Sequence, residues 1–143
     1  LGGAALDARA ARATAGFHVN VFAGVGVSTV GFLRAFARRG GRKVTLLVVD
    51  MVEWRLEFQR LLVKEAAAEL ADEGHAVNVH FVARLATVDA DNASGLVAGW
   101  AREARLYCAA TRGAAATIHL SPDCSRASMV HQAHMTPAQR RAR

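Results

Sequence analysis

The sequence predicts an α/β fold built on a mainly parallel sheet. Short segments with strand-like patterns alternate along the chain with longer segments whose apolar residues recur at helical spacing. Residues 44–49 are apolar except for Thr45, which is typical of a parallel strand that is buried on both faces. Strands and helices in alternation form parallel sheets through right-handed crossovers. We therefore expect helices on both faces of one sheet.

Four strands are expected. Residues 17–22 carry valine and aromatic side chains at strand spacing. Residues 44–49 form the buried strand that ends just before Asp50. Residues 77–85 alternate apolar and polar side chains, and residues 114–120 form a brief apolar run. A proline follows this last run and ends the strand, because proline cannot donate to a strand ladder.

Three helices are expected between these strands. Residues 31–39 follow a glycine-rich turn and end at a pair of glycines. Residues 53–72 form the longest helix and residues 93–104 the third, while residues 106–110 fit either a helix or a short strand. The side chains expected to anchor the core from the last two helices are Trp54, Phe58, Leu61, Leu62 and Trp100. These elements predict a Rossmann-like three-layer sandwich that is incomplete in this chain.

The composition is that of one globular domain. A chain of 143 residues with 52% hydrophobic residues can bury a real core. We expect a flexible or helical lead at residues 1–16, the folded domain at 17–128 and a basic tail at 129–143. No apolar run approaches the length that spans a bilayer, so no membrane partner is expected. Two cysteines make no disulfide framework, which favours a cytoplasmic protein, or a nuclear one in a eukaryote.

The net charge of +6 favours an anionic partner such as nucleic acid. Much of the excess lies in two clusters: Arg34, Arg38, Arg39, Arg42 and Lys43, and then Arg140, Arg141 and Arg143. A solvated helix face followed by a basic tail explains the same pattern equally well.

The first strand, the glycine turn and the first helix together form a nucleotide-type site. Gly24 and Gly26 let a ligand approach the backbone, and the start of the helix offers backbone N–H groups. Asp50, at the end of the next strand, can accept hydrogen bonds from a ribose diol. This pattern fits sheets that bind NAD and sheets that bind S-adenosylmethionine almost equally.

Two motifs, in this order, resemble those of the DNA cytosine-5 methyltransferases. Residues 20–26 read Asn-Val-Phe-Ala-Gly-Val-Gly and are followed by Ser28 and Thr29, which is similar to the first motif of that family. Residues 121–125 read Ser-Pro-Asp-Cys-Ser, which is similar to a variant of the family's catalytic Pro-Cys motif. The resemblance covers roughly residues 17–128, and between the motifs it concerns the layout only.

The resemblance implies S-adenosylmethionine as cofactor and DNA as partner, with the target cytosine flipped out of the duplex. Cys124 would form an adduct with the base, so that carbon 5 can take the methyl group. The implied function is DNA methylation of the restriction-modification type. The implied cofactor-binding residues are Asn20, Phe22, Ala23, Gly24, Gly26, Ser28, Thr29, Asp50, Met51 and Pro122.

The chain also departs from the family. Asn20 and Arg84 stand where the family has aspartates. The family's later Glu-Asn-Val and arginine motifs do not follow Cys124, so we expect the N-terminal part of a catalytic domain, or a degenerate copy. An NAD(P)-binding oxidoreductase domain and an inactive nucleic-acid-binding remnant remain alternatives. A zinc site at Cys124, His131 and His134 is disfavoured by its loose spacing, and no metal is expected.

Overall fold

The computed structural model describes residues 13–22, 24 and 26–120 of the chain. Strands and helices alternate throughout these residues. In order they are β1 (Ala15–Val21), α1 (Val27–Arg38), β2 (Lys43–Asp50), α2 (Glu53–Asp72), β3 (Asn78–Leu85), α3 (Ala93–Ala110) and β4 (Ala114–Leu120). Within the described ranges, no helix combines the length and the apolar character needed to cross a membrane.

The described strands form one sheet in the order β3-β2-β1-β4, and every neighbouring pair is parallel. At the middle of β1, Val19 lies beside Leu47 of β2 and Ile118 of β4. The chain moves outward from β1 to β3, and α3 then carries it back to the far side of β1. This reversal creates a topological switch point between β1 and β4, where open α/β sheets bind ligands beyond the carboxyl ends of their strands. The predicted α/β fold with a Rossmann-like arrangement is confirmed.

Helices cover both faces of the sheet, and β2 contributes to both cores. Leu46 and Val48 are buried on the face covered by α1 and α2. Leu47 and Val49 are buried on the opposite face, together with Trp100 of α3. Because successive residues of β2 point to opposite cores, this strand has to be apolar at nearly every position.

The buried face of α2 differs from the predicted one. Its buried residues are Leu56, Gln59, Val63, Ala66 and Leu70. Trp54, Phe58 and Leu61 are 60%, 42% and 62% exposed, so the expectation that they anchor the core was wrong. Two stripes at helical spacing compete in this helix, and the stripe with smaller side chains lets the helix pack closely on the sheet. Trp100, by contrast, is buried as predicted.

Two elements begin earlier than expected, and one open question is settled. β1 begins at Ala15 instead of residue 17, and α1 begins at Val27 instead of residue 31. The undecided residues 106–110 continue α3 to Ala110. The earlier start of α1 matters for function, because it brings the first helical turn directly against the glycine turn.

His18 is a buried imidazole at the centre of β1. Its ring stacks on the ring of Phe32 in α1, with the centroids 3.7 Å apart, and its Nδ1 shares a hydrogen bond with the hydroxyl of Thr117. Its Nε2 has no partner in the described part of the chain. Burial, and secondarily the nearby His119, lower the pKa of His18 from 6.5 to about 3. The ring is therefore neutral in the folded protein at ordinary pH.

We expect His18 to make the fold less stable in acid. Between pH 6.5 and about 3 the unfolded chain binds a proton at His18 that the folded chain does not bind. The stabilising contribution is therefore complete above pH 6.5 and is lost as the pH falls, by about 1.4 kcal/mol per pH unit. Urea unfolding across this range should show that slope in the difference between wild type and His18→Phe, which keeps the ring stack. A difference that does not change with pH would contradict the assignment.

Candidate cofactor-binding site

The candidate site lies at the carboxyl ends of β1 and β2. β1 ends at Val21, and the chain passes through the glycine turn into α1, whose N-cap is Gly26. Asp50 is the last residue of β2. Since both strands run in the same direction, the turn and the carboxylate lie at one edge of the sheet. Leu120 ends β4 beside Val21, so the chain also leaves β4 at this edge.

The glycine turn has an unusual backbone. Phe22, Gly24 and Gly26 have positive φ angles of 56°, 59° and 93°. A Cβ on Gly26 would lie 2.9 Å from Cγ of Gln59, so this position requires glycine both for its conformation and for space. Phe22 is strained, at a cost of about 1 to 3 kcal/mol, and its side chain is held in the core on the α3 side. Such strain is typical of turns that bind ligands.

A buried chain of hydrogen bonds holds this turn. Asn20 Nδ2 donates to the Ser28 hydroxyl at 2.9 Å and to Thr29 Oγ1 at 2.8 Å. Thr29 Oγ1 donates to Gln59 Oε1 at 3.0 Å, and Gln59 Nε2 donates to the carbonyl of Gly24 at 2.9 Å. Asn20, Thr29 and Gln59 have no exposed surface. We call these three side chains the buried polar chain, and it joins β1, α1 and α2 to the turn.

The direction of these hydrogen bonds explains why Asn20 is an amide. The carbonyl of Gly24 can only accept, so the NH₂ group of Gln59 must face it and Oε1 must face Thr29. Thr29 then gives its proton to Gln59, and residue 20 has to donate to Thr29. A carboxylate has no proton to donate and would compete with Gln59 for the Thr29 proton. The departure from the family's aspartate is thus matched by the surroundings of Asn20.

Asp50 has one oxygen in use and one without a partner. The side chain is 1% exposed, and Oδ1 accepts from the backbone N–H of Val52 at 2.9 Å. A guanidinium nitrogen of Arg55 lies 3.9 Å from the same oxygen. Oδ2 is buried and has no hydrogen-bond partner among the described residues, and the same is true of Asn20 Oδ1 on the adjacent strand. Two buried acceptors without donors are costly, and they suit a ligand that brings hydroxyl or ammonium donors.

The charges around this edge are mainly negative in the described residues. Glu53 starts α2 beside Asp50, and Asp89 lies in the loop that leads from β3 to α3. The cations are already engaged: Arg55 lies near Asp50, and Arg84 pairs with Glu103 of α3 at 2.8 Å and 3.2 Å. Arg84 therefore connects β3 to α3. The edge as described favours a cationic ligand over a polyphosphate.

The structure brings most of the predicted site residues together. Ser28 and Thr29 meet Asn20 directly, and Gly24 and Gly26 lie against Gln59. Met51 packs partly buried against the core on the α3 side instead. Ala23, Pro122 and Cys124 lie outside the described residues, as do His131 and His134. In the described ranges, no group of three or more His, Cys, Asp or Glu side chains is placed to hold a metal ion.

Sequence reasoning missed two residues of this edge. Gln59 is a polar residue in the stripe that also contains Leu56 and Val63, and a lone polar side chain in a buried stripe was its signal. Trp54 is exposed near Asp50, with the guanidinium carbon of Arg55 5.7 Å from its ring centroid. Trp54 is exposed because of the way α2 is rotated against the sheet. The helical spacing of the apolar residues in α2 did not reveal that rotation.

The described residues define a Rossmann-like α/β fold with a polar site at the carboxyl edge of its sheet. No protein-family model, no curated protein and no solved structure matches this chain. The function has to be argued from the geometry of the edge and from the two motifs.

Gln59→Leu should lower the free energy of unfolding by about 2 to 4 kcal/mol, because it leaves Thr29 and the carbonyl of Gly24 buried without their partner. Ser28→Ala is the matched control and should cost less than about 1 kcal/mol, since Asn20 keeps its bond to Thr29 at a site where Ser28 is only half-buried. Urea unfolding measures both. Equal losses in the two variants would show that the buried polar chain has no special role.

Proposed function

We propose that this edge binds S-adenosylmethionine and that the chain transfers its methyl group to carbon 5 of cytosine in DNA. The observation that carries the proposal is the pairing of two groups at neighbouring strand ends. Gln59 holds the Gly24 carbonyl of the glycine turn, and Oδ2 of Asp50 has no partner among the described residues. The resemblance of residues 20–26 and 121–125 to the two methyltransferase motifs indicates methylation of cytosine as the reaction.

The residues present fit a cationic nucleoside better than a dinucleotide. S-adenosylmethionine carries a positive sulfonium and ammonium beside its ribose diol, which suits an edge with carboxylates and two unpartnered acceptors. A dinucleotide would bring a pyrophosphate to the same place. In addition, Thr29 stands where the dinucleotide fingerprint G-x-G-x-x-G has its third glycine, and Thr29 is engaged in the buried polar chain.

Side chains and backbone groups of the edge each have a role in this proposal. Asp50 Oδ2 accepts from a ribose hydroxyl, and Gly24 and Gly26 let the ligand approach the backbone. The first N–H groups of α1 have no capping side chain and can donate to the ligand. The exposed ring of Trp54 offers a flat surface for a base. When bound, S-adenosylmethionine supplies an electrophilic methyl group.

Cys124 is the proposed nucleophile. It follows Leu120 by four residues, a length that spans at most about 14 Å when fully extended, and Leu120 lies at the edge of the glycine turn. The thiolate adds to carbon 6 of the flipped cytosine, and the electrons of the 5,6 double bond make carbon 5 nucleophilic. Carbon 5 would take the methyl group as the S–CH₃ bond of the sulfonium breaks, and the leaving group would be the neutral thioether S-adenosylhomocysteine. A base then removes the proton of carbon 5, the double bond forms again and the thiolate leaves.

Calorimetry should show binding of S-adenosylmethionine and no binding of NADH or NADPH. Asp50→Asn should weaken the affinity about 10- to 100-fold, because an amide replaces the charged acceptor of the ribose hydroxyl. Glu53→Gln removes the same charge from an exposed neighbour and should change the affinity less than about threefold. Binding of a nicotinamide cofactor, or equal effects of the two substitutions, would overturn the cofactor assignment.

A duplex containing 5-fluorocytosine should form a stable covalent adduct when S-adenosylmethionine is present, because fluorine at carbon 5 blocks the final proton removal. The adduct should disappear in Cys124→Ser and persist in Cys108→Ser, and denaturing gels with mass spectrometry detect it. The experiment uses the longest natural protein that contains this sequence. DNA binding without an adduct would identify an inactive remnant instead.

A further inference from the structure

The edge of the sheet opposite the cofactor site carries a row of exposed cations. Arg39, Arg42 and Lys43 come from the turn between α1 and β2, and Arg112 comes from the turn between α3 and β4. All four are exposed, and none forms an ion pair within the described part of the chain. We call these four residues the basic edge.

The first cluster of cations is continuous in the sequence, but the fold separates it into two groups. Arg34 pairs with Glu69 at 3.2 Å, and Arg38 pairs with Glu73 at 3.2 Å. The two arginines of the cluster that lie on α1 are therefore neutralised by these glutamates. Arg39, Arg42 and Lys43 lie past the end of α1 and have no ion pair among the described residues.

Backbone hydrogen bonds hold the turns of the basic edge together. The N–H of Arg42 donates to the carbonyl of Thr14 at 2.8 Å, and the N–H of Thr14 donates to the carbonyl of Gly113 at 3.2 Å. Since neighbouring strands lie about 4.8 Å apart, the backbones at Arg42 and Gly113 are about 10 Å apart, with β1 between them. The cations of the basic edge are thus arranged side by side across several strands. Asp72 and Glu73 lie to one side, at the end of α2, where Glu73 is occupied by Arg38.

We infer that the basic edge docks the phosphate backbone of a nucleic acid without reading its bases. Guanidinium groups match phosphate oxygens in pairs, and uncompensated cations in a row release counterions from a polyanion. Among the described residues, the carboxyl edge carries Asp50, Glu53 and Asp89, whereas the amino edge carries the four cations without ion pairs, so the amino edge offers the stronger contact for phosphates. Strands of seven or eight residues separate the two edges by about 25 Å. This contact is therefore distinct from any binding of a flipped base at the cofactor site.

The test compares two double variants that each remove two positive charges. Arg42→Gln with Arg112→Gln alters the basic edge, and Lys64→Gln with Arg102→Gln alters exposed, unpaired cations on α2 and α3. Binding of a fluorescent 20-base-pair duplex is measured by anisotropy from 50 to 200 mM NaCl. The first variant should lose at least tenfold in affinity at 100 mM NaCl, and the slope of log Kd against log [NaCl] should fall by about 2.

The control variant should lose less than about twofold in affinity and keep the slope. Equal losses in both variants, or no binding by the wild type, would overturn the inference. Vesicles containing phosphatidylserine form a second arm, and binding to them in preference to the duplex would identify a membrane surface instead. The duplex assay contains no S-adenosylmethionine, so failure of the cofactor proposal and failure of this one are separable. Circular dichroism confirms that the variants are folded.

Discussion

The glycine turn depends on the buried polar chain of Asn20, Thr29 and Gln59. These side chains have no access to water, so each hydrogen bond that is left unmade would cost the full desolvation of its polar group. The hydrogen bonds of the buried polar chain have only one possible donor direction. Because Gln59 must donate to the carbonyl of Gly24, residue 20 must be a donor, and an amide meets this requirement. One network therefore joins β1, α1 and α2 to the carbonyl of Gly24 in the turn. It also makes a neutral residue the right one at position 20, where the family that the sequence resembles has an aspartate.

Two energetically unfavourable features occur at the carboxyl edge of an otherwise regular sheet. Phe22 has a backbone conformation that non-glycine residues avoid, and Asp50 buries an oxygen for which the described residues provide no donor. Proteins tend to keep such violations where a function needs them. Their position at adjacent strand ends, beside the topological switch point, is the physical reason to propose a ligand here.

The charges are separated along the direction of the strands. In the described residues, carboxylates gather at the carboxyl edge and unpaired cations gather at the amino edge. A positively charged small molecule would thus be attracted to the carboxyl edge, while the cations of the amino edge would add a separate contact for a polyanion. The separation arises because the α1 cations nearest the acidic flank of α2 are neutralised by Glu69 and Glu73, while those beyond the helix end are not.

The sequence by itself determined the α/β class, the parallel sheet, the glycine turn and the place of Asp50, because strand and helix periods and glycine positions are local properties. Only the tertiary structure decided which stripe of α2 is buried, and with it the exposure of Trp54 and the role of Gln59. Both stripes have helical spacing, so the choice between them depends on how closely the helix can approach the sheet and on whether a buried amide finds partners. The pairing of Arg34 and Arg38 with glutamates, while Arg42 and Arg112 have no ion pair among the described residues, was likewise decided by distances between segments that are far apart in the chain.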